Sequence, residues 1–134
     1  MTLYVDTSAL LKRYIDEAES ETCERHLLAD PTWITARHTW VEVRRNLARL
    51  CTGETLVQTR EAFEADWARL HVIELDEETC AMAADIAEVT LARTLDALHL
   101  GALRRAGASG ITLITFDVRQ ARAARELGLS VIGV

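Results

Sequence analysis

Two rhythms of apolar residues alternate along the chain. Leu3-Tyr4-Val5 is a short run of strand formers, and in the stretch Ser8 to Ile15 the residues Leu10, Leu11 and Tyr14 share one helical face. Residues 19–30 read as a second helix closed by Asp30-Pro31, and Trp33-Ile34-Thr35 as a second strand. Over 37–50, Trp40, Val43, Leu47 and Leu50 form one helical stripe. Cys51 to Gly53 break it, and Leu56, Phe63, Trp67 and Leu70 resume it over 54–70, which predicts a helical hairpin. Residues 71–75 read as a third strand. Residues 79–92 are apolar on most sides, which predicts a buried helix.

The spacing predicts a further helix from Thr94, ending with Gly107 just past its C-terminus. Ile111 to Phe116 is the clearest strand, followed by a helix over 119–127, Gly128, and a last strand over 130–134. Strands separated by helices predict an α/β fold, a three-layer α/β/α sandwich around a central parallel sheet of five strands. In such sheets the ligand crevice lies at the carboxyl ends of the strands, where the strand order reverses.

Composition narrows this picture only a little. The 134 residues suit a single domain spanning 1–134. No apolar run approaches the roughly 20 residues needed to cross a bilayer, and the N-terminus lacks the regions of a secretory signal, so a cytoplasmic protein is expected. Cys23, Cys51 and Cys80 are isolated and read as buried small hydrophobes. The net charge of −6 speaks against a broad basic surface for nucleic acid, but not against a site that holds cations.

Candidate chemistry lies in four acids. Asp6 follows the first strand and Asp117 the strand at 111–116, so both belong on the carboxyl edge. If those strands are neighbours they stand about 4.8 Å apart, close enough for two carboxylates to share a cation. Asp96 falls in a first helical turn among apolar residues, and Glu42 lies beside Trp40, Val41 and Val43 on an amphipathic helix. Each has a plain structural alternative: a helix cap for Asp6 and Asp117, a dipole-favoured acid for Asp96, a surface glutamate for Glu42. Together they would repel by roughly 3 kcal/mol per pair at about 5 Å and an effective dielectric near 20. Oxygen-only ligands select a hard ion, so Mg²⁺, or else Mn²⁺, is the expected cofactor.

The motifs Leu3-Tyr-Val-Asp-Thr-Ser-Ala-Leu, Trp40-Val-Glu-Val, Thr94-Leu-Asp-Ala-Leu-His and Leu113-Ile-Thr-Phe-Asp, in this order, resemble the PIN domain. In particular they resemble the VapC-type ribonuclease toxins of bacterial toxin–antitoxin pairs, from Leu3 to Val134. The resemblance implies that Asp6, Glu42, Asp96 and Asp117 form a metal-binding acidic quartet, with Ser8 and Thr115 as hydroxyls supporting it. It further implies Mg²⁺-dependent hydrolysis of an RNA phosphodiester, leaving a 3′-hydroxyl and a 5′-phosphate. A cognate antitoxin protein and a homodimer are the partners implied beside RNA, with the hairpin stripe of Phe63, Trp67 and Leu70 either core or part of the antitoxin groove. Val118 and Arg119 stand where some PIN nucleases carry a further acid, which weighs against a second resident metal.

His99, three residues after Asp96, reads as a core or hydrogen-bonded histidine in preference to a ligand. Arg119, Arg122 and Arg125 on one helix, and Arg37, Arg44, Arg45 and Arg49 on another, read equally as phosphate contacts or as a solvated face. The alternative functions are a PIN nuclease of RNA processing without an antitoxin, and a non-catalytic metal- or nucleic-acid-binding module. A haloacid-dehalogenase-type phosphotransferase would need an acid where Ser8 stands, and a receiver module an acid pair that the first strand lacks.

Overall fold

In the computed structural model, which describes residues 2–134, the apolar runs become five parallel strands. The elements, in order, are β1 (Thr2–Val5), α1 (Thr7–Leu11), α2 (Ser20–Ala29), β2 (Thr32–Ala36), α3 (Arg37–Leu50), α4 (Gly53–Trp67), β3 (His71–Ile73), α5 (Glu77–Thr90), α6 (Thr94–Arg105), β4 (Ile111–Thr115), α7 (Val118–Glu126) and β5 (Ser130–Gly133). The strand order is β3-β2-β1-β4-β5, so β1 and β4 are neighbours, with Val5 opposite Ile114. The order reverses between them, which opens a crevice beyond their carboxyl ends.

Alternation along the central strands feeds two cores, as a sheet covered on both faces requires. Leu3, Val5 and Ile114 pack on one face with residues of α1 to α4, including Leu10, Leu27, Val43, Leu47 and Phe63. Tyr4, Ile111 and Leu113 pack on the other with Ile86, Leu100, Leu103, Ala123 and Ala124 of α5 to α7. Phe63 and Leu70 are thus core, and Trp67 packs half-buried against them.

Two elements depart from expectation. The first helix stops at Leu11, after which Arg13 and Tyr14 continue in tighter turns with N–H groups bonded three residues back. Polar partners account for the bend: Lys12 is drawn to Glu17 and Glu19 at 2.9 and 3.0 Å, and the Tyr14 hydroxyl donates to Asp66 at 2.7 Å. The helix expected to be buried, α5, buries only Thr79, Ala83 and Ile86 of its length, because it covers the sheet from outside through α6. Cys80 is accordingly exposed, unlike Cys23 and Cys51.

The α5–α6 contact is unusually close. A Cβ added to Gly101 would lie 2.7 to 2.9 Å from Cβ, N and Cα of Ala83. Glycine thus sets the distance at which α6, which carries Asp96 and His99, stands from its neighbour. Among the described residues no helix is long and apolar enough to cross a membrane.

Candidate active site

The site is assembled where β1 and β4 end. Asp6 is the N-cap of α1, extended in backbone, with Oδ1 accepting from the Ala9 N–H at 3.0 Å. It is 3% exposed, however, which a simple cap does not require. Its remaining hydrogen bonds come from two hydroxyls: Ser8 donates to Oδ1 at 2.7 Å and Thr115, at the end of β4, donates to Oδ2 at 2.5 Å. Both hydroxyls also accept from the backbone after β4, Ser8 from the Phe116 N–H at 2.9 Å and Thr115 from the Asp117 N–H at 3.1 Å. The pair therefore laces the ends of the two central strands together around one carboxylate.

Asp117 caps α7, its Oδ1 accepting from the N–H groups of Arg119 and Gln120 at 2.8 and 3.3 Å. Asp96 stands half-buried in the first turn of α6 and, among the described residues, accepts no side-chain hydrogen bond. Asp96, Asp117 and Glu42 line one cavity of about 330 Å³, with Arg93, Thr94 and Leu95. Asp6, buried, is not among the lining residues.

Electrostatics ties the aspartates to one another. Burial pushes the Asp96 carboxyl above its ordinary range, and the charges of Asp117 and Asp6 push it further, against His99 and Arg93. Burial also raises Asp6, against the opposing pull of His99 and the three hydrogen bonds. Three carboxylates from separate parts of the chain therefore share one field, and two are held above the usual carboxylate range.

Glu42 is held differently. Thr7 donates its hydroxyl to Oε1 at 2.7 Å, and Nε2 of His99 lies 3.0 Å from the same oxygen. His38 is 3.6 Å away, one helical turn before Glu42 on α3. Burial acts to raise the Glu42 carboxyl, but the hydrogen bond and charge of His99, with Thr7 and His38, bring it below its ordinary range. His38 is pushed down to about 4, by burial first and then by His99. His38, Glu42 and His99 are, among the described residues, the one trio of His, Cys, Asp or Glu whose ligating atoms all fall within 4.8 Å of each other. The quartet does not close to that distance.

Sequence reasoning did not single out Thr7, His38, Tyr4 or Arg93. Tyr4, fully buried, sets its hydroxyl 2.9 Å from Nδ1 of His99, so His99 bridges the core and Glu42. The i, i+4 spacing of His38 and Glu42 was visible in the sequence, but nothing there placed His99 beside them. Of the arginines on α3, Arg37 is paired with Glu74, and Arg44 with Glu64 at 3.1 Å over the Trp40 ring.

Comparison with known proteins gives a consistent picture. The PIN domain family matches residues 3–126. The chain is 33% identical over 130 residues to Ribonuclease VapC46 of Mycobacterium tuberculosis, covering 97% of this chain and 95% of that protein. Among solved structures it resembles VapC20 of Mycobacterium tuberculosis, a toxin that cleaves the sarcin-ricin loop, with a TM-score of 0.70 at 19% identity over 90% of this chain and 94% of that one. It also resembles a chain of a toxin–antitoxin complex from Klebsiella pneumoniae, with a TM-score of 0.72 at 16% identity over 99% and 97%.

Proposed function

The chain belongs to the PIN domain family, and from that premise we propose that it is a divalent-metal-dependent endoribonuclease, the toxin of a toxin–antitoxin pair. We assign its reaction centre to the cavity lined by Glu42, Asp96 and Asp117, with Asp6 beside it acting on Asp96 through its charge. The observation that carries this reading is that Glu42, Asp96 and Asp117, from three separate parts of the chain, line one cavity, where the charges of Asp117 and Asp6 add to burial in raising the Asp96 carboxyl. The relative named Ribonuclease VapC46 supports the activity, and the toxin–antitoxin complex among the similar folds supports a protein inhibitor as partner. Self-association as a homodimer belongs to the same reading.

The residues fit a hard cation. The cavity presents carboxylate oxygens, and like charges that disfavour each other's ionisation are relieved by a divalent ion. Mg²⁺ is the expected ion and Mn²⁺ the alternative, held by Asp6, Asp96, Glu42 and Asp117. Bound there, it would supply charge stabilisation to a phosphodiester and lower the pKa of an attacking water.

The chain's own contribution is positioning. Ser8 and Thr115 fix the Asp6 rotamer with two hydroxyl hydrogen bonds, and Thr7 and His99 fix Glu42. Water attack at phosphorus with loss of the 3′-oxygen leaves a 3′-hydroxyl and a 5′-phosphate, so no side-chain nucleophile is required.

The test is cleavage of labelled total RNA by the purified protein with Mg²⁺, Mn²⁺ or EDTA, beside folded Asp6→Asn and Asp96→Asn variants. Discrete fragments that need the metal and vanish in both variants are expected. Equal cleavage by the wild type and both variants would overturn the assignment.

A further inference from the structure

We infer that a cleft lined by Arg93, Arg119 and Arg122 is the phosphate-binding subsite for the RNA strand, so that the strand leaves the acidic pocket over α7. This rests on the nuclease reading above and assigns its substrate a direction.

The cleft has a volume of about 320 Å³ and runs between the α5–α6 connection and α7. Arg93, the N-cap of α6, and Asp96 line both this cleft and the acidic cavity. The two spaces therefore adjoin. A phosphodiester at the carboxylates would have its neighbour on the same strand within reach of the arginines.

The protein has 21 acidic against 15 basic residues, and guanidinium groups near acids are commonly drawn into ion pairs. On α3, Arg37 is paired with Glu74 and Arg44 with Glu64, while Arg45 and Arg49, in no ion pair among the described residues, line neither this cleft nor the acidic cavity. Among the described residues Arg93, Arg119 and Arg122 enter no ion pair, although Glu126 lines the far end of their cleft. Arg93 acts on Asp96 only at longer range, lowering its pKa. Arg119 and Arg122 lie three residues apart on α7 and so on the same side of that helix. Their forks remain available to phosphate oxygens, which guanidinium meets bidentately.

A contact of this kind reads the backbone and not the bases, so it contributes to affinity and orientation without sequence preference. Each phosphate neutralised on a single strand contributes about 0.7 to the slope of log K against log salt.

The experiment is fluorescence-anisotropy titration of a short mixed-sequence single-stranded RNA in EDTA, over a series of KCl concentrations. The proteins are wild type, Arg119→Ala/Arg122→Ala, Arg119→Lys/Arg122→Lys and Arg37→Ala. The alanine pair is expected to bind about tenfold more weakly, with the salt slope reduced by about 1.4 for two lost contacts. The lysine pair should keep the slope, and Arg37→Ala should match wild type. In the cleavage assay the alanine pair should raise KM and leave kcat near wild type. An unchanged slope in the alanine pair, or an equal loss in Arg37→Ala, overturns the inference, including the case in which the arginines serve only a protein partner. Loss of metal-dependent cleavage sensitivity to Asp96→Asn would instead fail the nuclease reading, whatever the slopes.

Discussion

The close approach of α5 and α6 makes Gly101→Ala the sharpest test of the fold that positions Asp96. The added Cβ would meet the Ala83 Cβ at 2.7 Å, its N at 2.8 Å and its Cα at 2.9 Å. Two of those atoms are backbone, so no rotamer change relieves them, and the helices must separate. Overpacking that forces backbone shifts costs up to about 3 kcal/mol. Alanine in place of glycine within a helix returns about 1 kcal/mol, leaving a net loss of about 2 kcal/mol. With a urea m-value of about 2 kcal/mol/M, the midpoint of urea unfolding should fall by about 1 M with m unchanged. Adding Ala83→Gly removes only the Cβ contact, so it should restore less than half of what the overpacking cost. Because α6 carries Asp96, metal affinity should weaken in the single variant under conditions where it remains folded. A midpoint within about 0.2 M of wild type would refute the reasoning, since the helices would then have slack that the distances deny.

Thr115→Val keeps the shape of a fully buried side chain but removes its hydrogen bonds to Asp6 and from the Asp117 N–H. A loss of metal affinity of about 10- to 100-fold, read by calorimetry, is expected from groups that orient ligands. Gln120 is 1% exposed and, among the described residues, neither its amide nitrogen nor its amide oxygen has a hydrogen-bond partner. Gln120→Met should therefore stabilise the protein by about 1 kcal/mol in urea unfolding, as an unsatisfied buried amide costs about 1–3 kcal/mol. His38, pushed down to about 4 from an ordinary value of 6.5, stays neutral in the folded protein where the unfolded chain takes up a proton. Its contribution to stability is present above pH 6.5 and is lost as the pH falls toward 4, at no more than about 1.4 kcal/mol per pH unit. The raised carboxyls of Asp6 and Asp96 act in the opposite sense, so the expected signature is a difference: His38→Asn should flatten the acid-side decline relative to wild type, and identical pH profiles would contradict it.

The architecture was legible because each strand and helix carries its own periodicity. Leu3-Tyr4-Val5 and Ile111 to Thr115 send alternate residues to the two cores, and the break at Cys51 to Gly53 separates α3 from α4. The exposure of α5 was not legible, since its alanines read as core in sequence. Small residues can also mark a place where two helices approach closely, with the rest of the surface left to solvent.

By itself the sequence determined that Asp6 and Asp117 follow strands, that Asp96 falls in a first helical turn, and that their order matches the PIN domain. A local pattern fixes such placements because strand ends and first turns have strong local signals. Only the tertiary structure decided that Thr115 spans 109 residues to reach Asp6, that His99 reaches Glu42 across 57, and that Arg93 adjoins Arg119 and Arg122. Those contacts depend on strand order and helix crossing, which are set by burial of whole faces. No window of sequence contains both partners, so no periodicity records the distance between them.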